Sequence, residues 1–119
     1  MKCVTIDGVD YVPKTEAAAT AFDVAGRPYQ IIRTYSAGVF AGYVESRDGK
    51  EAVIRRARRL WYWAGAASLS QLAVSGTSKP NDCKFPVEVD RITVTEVIEL
   101  IDCSDAARDS IQEVPVWQN

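Results

Sequence analysis

The sequence predicts an α+β fold: a mainly antiparallel sheet, made of a three-stranded meander plus a long C-terminal strand, with two to three short helices. Three observations carry this expectation. Residues 29–35, 39–45 and 51–56 are rich in aromatic and β-branched side chains, and turn signals at Ser36-Ala37-Gly38 and Asp48-Gly49 separate them. Beyond Gly65 the apolar residues Ala66, Ala67, Leu69, Leu72 and Ala73 fall at helical intervals. Arg91 to Ile101 is the longest β-rich run in the chain. Strands clustered in sequence with helices around them indicate segregated α and β elements.

Taken in order, Val4–Val12 reads as a small hairpin turned at Asp7-Gly8, and Pro13 stops it for want of an N–H. Thr15 is a candidate N-cap for a short alanine-rich helix running to Phe22, with Gly26 and Pro28 marking the exit. The meander follows. In its third strand strict alternation puts Val53, Arg55, Ala57, Arg59 and Trp61 on one face, and Ile54, Arg56, Arg58 and Leu60 on the other. Ser68 and Gln71 match a capping box, Gly76 is a stop signal, and residues 76–86 are loop by composition. In the run 91–101, Ile92, Val94, Ile98 and Leu100 share a parity that Glu96 interrupts. Either a bulge re-phases the strand there, or the carboxylate points inward toward a cation. Ser104 is a candidate N-cap for a helix through Ile111, with Asp105 placed favourably at its positive end. Val114-Pro115-Val116-Trp117 is too apolar for a tail left in water.

Composition bounds the function classes. A chain of 119 residues, 47% hydrophobic and 25% charged, is expected to be one globular domain spanning 1–119. It has no run of membrane-spanning length and no apolar leader at its start, so a cytoplasmic product with no membrane partner is expected. Cys3, Cys83 and Cys103 are odd in number and lack metal-finger spacing, which favours reduced, buried thiols. The absence of histidine removes the commonest general base and imidazole ligand, so no enzyme activity, metal or cofactor is expected. Charge is uneven. Residues 27–59 carry eight basic and three acidic side chains, and residues 82–113 carry three basic and nine acidic ones. With a pI near 5.1, pairing of the two segments is favoured over binding to nucleic acid.

Two stretches carry a resemblance: Arg33-Thr34-Tyr35-Ser36-Ala37-Gly38-Val39-Phe40-Ala41-Gly42, and Ala57-Arg58-Arg59-Leu60-Trp61-Tyr62-Trp63-Ala64-Gly65-Ala66 continuing to Ser68-Leu69. The chain resembles a family of small proteins of unknown function encoded by tailed bacteriophages and prophages, over roughly residues 29–117. The first 28 residues are less typical of it. The resemblance implies a context, the bacterial host cytoplasm or the virion, and carries over neither an activity nor catalytic residues.

Arg55, Arg56, Arg58, Arg59, Trp61, Tyr62, Trp63 and Gly65 form the candidate ligand site. Arginine supplies planar donors for phosphate, tryptophan supplies a stacking face, and helix-opening N–H groups near Gly65 suit an anion. The competing reading pairs these arginines with Glu96, Glu99 and Asp102 on a neighbouring strand and leaves the tryptophans to core or interface. Val114, Val116 and Trp117 are candidate subunit-interface residues, their alternative being packing onto their own domain. The expectation is a non-enzymatic binding protein and homo-oligomer acting in the infected cell, in counter-defence by sequestering a nucleotide signal or blocking a host protein. The alternative is a structural or accessory virion protein.

Overall fold

The structure is a computed structural model and describes residues 20–118. Its strands are β1 (Tyr29–Thr34), β2 (Val39–Asp48), β3 (Glu51–Arg59), β4 (Val89–Val94) and β5 (Val97–Asp102). Its helices are α1 (Leu69–Ser75) and α2 (Asp105–Glu113), with a single 3-10 turn at Pro80–Asp82. The strands form one antiparallel sheet in the order β4-β3-β2-β1-β5. The α+β class and the β1–β3 meander are therefore as the sequence predicts. The predicted hairpin at residues 4–12 and most of the helix begun at Thr15 lie outside the described residues. Thr20 and Phe22 are not helical. They form isolated bridges to Ser104 and Pro28. Ala21, fully buried between them, donates its N–H to Cys103 O and accepts from Tyr29 N–H, each at 2.8 Å. Extended pairing of a buried segment overrides alanine's helix propensity here.

The predicted long C-terminal strand is two strands on opposite edges of the sheet, joined only by Thr95 and Glu96. So short a link between opposite edges requires the sheet to fold over on itself. The β2–β3 hairpin does this, and its tip reaches the start of β5, where Val97 N–H donates to Lys50 O at 2.9 Å. Two irregularities bend the hairpin: Glu45 is an extra residue on β2, and an extra residue enters β3 around Arg56. Neither reading of Glu96 holds: no bulge re-phases a continuous strand, because the strand ends there and the chain crosses to the other edge. Glu96 adopts φ 57°, and its exposed carboxylate accepts from Ser36 Oγ at 3.1 Å instead of pointing inward. A register shift opposite Arg33 and Thr34 turns Ile98 outward, so the predicted common parity of Ile92, Val94, Ile98 and Leu100 fails at Ile98.

Folding over creates two cores. Inside the fold Ile32, Phe40, Val44, Ala52, Ile54, Ala57, Val94 and Val97 pack together. On the other face Tyr29, Ile31, Ala41 and Tyr43 meet Leu72 and Ala73 of α1 and Ala107 and Ile111 of α2, with Leu60, Phe85 and Cys103 between. Along β1 and β2 the two cores take alternate residues, as strand geometry requires.

Both helices have the caps expected of their sequences. Ser68 Oγ accepts from Gln71 N–H at 3.2 Å and Ser104 Oγ from Ala107 N–H at 3.0 Å. Ala66 and Ala67, read as helical from their spacing, precede the Ser68 cap and lie outside α1. Gly76 ends that helix at φ 75°.

Candidate functional site

Strict alternation along β3 breaks at Arg56, whose φ of 51° marks the extra residue. Ala52 and Ile54 face the inner core, and after the irregularity so does Ala57, which alternation had placed on the opposite face from Ile54. Gly42 lies across from this point. A Cβ there would stand 2.5 Å from Ile54 Cγ2 and 2.8 Å from Arg55 O, so only glycine admits the close approach. The irregularity distributes the arginines to different surroundings.

Arg58 is 3% exposed and enters the helix-covered side. Its Nε donates to Pro86 O (3.0 Å), Nη2 to Phe85 O (3.0 Å) and Nη1 to Ile111 O (2.9 Å), and its guanidinium lies 5.6 Å from the Phe85 ring centroid. Burial lowers its pKa from the ordinary arginine value. Backbone carbonyls, including that of Ile111 in the last turn of α2, stand where a carboxylate would have been expected. Arg58 joins β3, the loop before β4 and α2. Arg59 takes another path: its Nη1 donates to Ala37 O at 2.6 Å and its guanidinium lies 4.4 Å from the Phe40 ring centroid.

Arg55 and Arg56 turn to a groove of about 500 Å³ lined by Phe22, Asp23, Val24, Arg27, Tyr43 and Asp90 as well. Arg55 Nε donates to Glu45 at 2.5 Å and its Nη1 to Asp90 at 3.2 Å, while Arg56 Nε donates to Glu88 at 3.0 Å. The hydrogen bond from Arg55 holds Glu45 below the usual carboxylate value. Arg27 Nε donates to Asp23 at 2.7 Å. Pairing of the arginine segment with carboxylates is thus found, but the partners differ from those expected. Glu99 pairs with Arg33 at 2.7 Å, Asp102 accepts from Gln30 Nε2 at 2.7 Å, and Glu96 accepts from Ser36. The reason is sheet order: β5 lies beside β1, and β3 is flanked by β2 and β4.

The aromatic residues separate from the arginines. Trp63 packs against the helix-side core. Tyr62 bridges to Lys84, and the Lys84 ammonium lies 5.8 Å from the Tyr62 centroid and 5.7 Å from that of Trp117. Phe85 bridges in parallel to Val116, and Trp117 N–H donates to Phe85 O at 3.0 Å. The apolar tail therefore packs onto its own domain. Val114 is buried in the core and is removed from the candidate interface, whereas Val116 and Trp117 keep surface. Trp61 is 66% and Tyr62 51% exposed.

Gly65, expected near an anion-binding helix opening, has a packing role instead. Its φ is 79°, its O accepts from Ser78 N–H at 3.3 Å, and a Cβ there would meet Lys79 N at 2.5 Å. The helix itself opens four residues later, at Leu69. Cys83 and Cys103 are buried free thiols, and burial pushes Cys103 up to about 12, which leaves it inert as a nucleophile. Among the described residues no group of three or more His, Cys, Asp or Glu is placed to hold a metal ion. No helix among them is long and apolar enough to cross a membrane.

The sequence did not mark Phe22, Arg27 and Asp90 in the groove or Lys84 beside the two rings. Counting back from the Asp48-Gly49 turn brings Glu45 within one position of Arg55, a signal that was available. Nothing local announces the other four.

Residues 27–111 match the family model described as Domain of unknown function (DUF6948), and the chain belongs to that family. No curated protein and no solved structure matches the chain.

Proposed function

We propose that this member of the family is a non-enzymatic binding protein whose contact surface is the aromatic face built by Tyr62, Lys84, Val116 and Trp117, and that its partner is a protein. The observation that carries this reading is that the Tyr62 and Trp117 rings both lie near the Lys84 ammonium, at 5.8 and 5.7 Å, with much of Tyr62 left in solvent. Backbone bridges at Tyr62–Lys84 and Phe85–Val116 hold these side chains in place before any partner arrives. Rigid aromatic anchors of this kind lose little conformational entropy on docking and are enriched where interfaces concentrate their energy.

The resemblance to phage-encoded proteins supports a setting in the infected bacterium, where such a protein blocks a host protein in counter-defence. A photo-crosslinking residue at position 116, in cells making the protein, tests the assignment. The expected result is one dominant protein adduct, missing when the crosslinker stands instead at Asp48 in the hairpin tip. Equal adducts from both positions, or only adducts to a second copy of the chain, would sink the host-protein version. An accessory virion protein using the same face as an assembly contact is the second reading. Stoichiometric recovery of the chain from purified particles supports that one.

A further inference from the structure

We infer that the groove between Phe22 and the arginines of β3 is a binding site for a nucleoside monophosphate, separate from the aromatic face and independent of its assignment. The cavity of about 500 Å³ falls within the usual range for small-molecule sites. Three guanidinium groups line it, those of Arg27, Arg55 and Arg56. Each is held by its Nε: Arg27 on Asp23, Arg55 on Glu45, Arg56 on Glu88. Side-on pairing fixes the plane of a guanidinium while leaving its Nη donors free for a second acceptor. Among the described residues both Nη groups of Arg56 and the Nη2 groups of Arg27 and Arg55 have no partner. Arg56 thus keeps the pair of donors that a phosphoryl group takes in bidentate fashion, and Arg27 and Arg55 each add a single one.

Four carboxylates, Asp23, Glu45, Glu88 and Asp90, pair with these three arginines and fully offset their charge, so a bare anion gains little from the site. Asp90 is the exception in kind. It holds only Arg55 Nη1, and its side chain is 85% exposed, so a phosphate oxygen displaces it at small cost. Phe22 supplies the second half of the recognition. It is 53% exposed, lines the same groove, and its backbone bridge to Pro28 fixes it there. A nucleobase stacking on that ring adds the affinity that the neutralised arginines alone lack.

Calorimetric titration of the full chain with AMP, GMP, adenosine and inorganic phosphate tests this. AMP or GMP is expected to bind in the micromolar range, with adenosine and phosphate each at least tenfold weaker. Arg56→Ala is expected to weaken nucleotide binding at least tenfold. Asp90→Asn, which removes the competing carboxylate, is expected to tighten it several-fold. Phe22→Ala should bring nucleotide binding down to the level of phosphate. No heat with either nucleotide at 1 mM overturns the inference. So does a nucleotide affinity unchanged in Arg56→Ala, weakened in Asp90→Asn, or equal to that of phosphate. Circular dichroism of each variant confirms the fold, and the two surface substitutions Arg56→Ala and Asp90→Asn keep the test valid if Phe22→Ala does not fold.

Discussion

The arginine half and the aromatic half of residues 55–63 lie side by side in sequence and have opposite fates. Arg55, Arg56, Arg58 and Arg59 are all engaged by the fold, on carboxylates or backbone carbonyls. Trp61 and Tyr62 keep more than half of their surface in solvent, and only Trp63 joins the core. A folding chain brings counter-charges and carbonyls to a charge run: Arg58 and Arg59 go to backbone carbonyls, and Arg55 and Arg56 are held by carboxylates through Nε while keeping Nη donors open. Of the two exposed rings, Tyr62 meets the Lys84 ammonium and otherwise faces solvent, which leaves it open to a partner.

The largest effect that would break this contrast is at Arg58. Arg58→Ala leaves the carbonyls of Phe85, Pro86 and Ile111 without their buried donor, and should destabilise the protein by about 3 kcal/mol in urea unfolding. Gly42→Ala forces the two bent strands apart and should lower stability by about 2 kcal/mol, with the midpoint falling and the slope unchanged. The smallest effect concerns Glu45. Its folded pKa is depressed by Arg55, so its contribution is present above its unfolded pKa and is lost as pH falls through the depressed folded value. Glu45→Gln should therefore flatten the acid limb of the stability profile and leave the alkaline limb as it was.

Much of the architecture was legible because it is written in short-range chemistry. The turn at Asp48-Gly49, the Ser68 and Ser104 caps and the Gly76 stop each require particular residues, and each stands where its residues predict. What was not legible has a physical cause in each case. Arg56 adopts positive φ without being glycine, so the slip it makes carries no residue signature, while the broken parity at Glu96 marks a break without showing that the chain crosses there to the other edge. Once alternation slips at Arg56, every later side chain on β3 changes face, which is why Arg58 emerged as a buried clamp. The ion-pair partners were misjudged because β5 joins the sheet beside β1. Sheet order depends on how the β2–β3 hairpin folds over, and that is set by contacts distant in sequence.

The aromatic face is proposed to serve binding and not the fold. The double substitution Tyr62→Ala with Trp117→Ala tests it most directly, with urea unfolding and quantitative partner capture measured on one preparation. Stability within about 1 kcal/mol of wild type is expected, as for exposed side chains, together with loss of the captured partner. A variant that captures the partner as wild type does, or one that loses stability on the scale expected for Arg58→Ala, would contradict it.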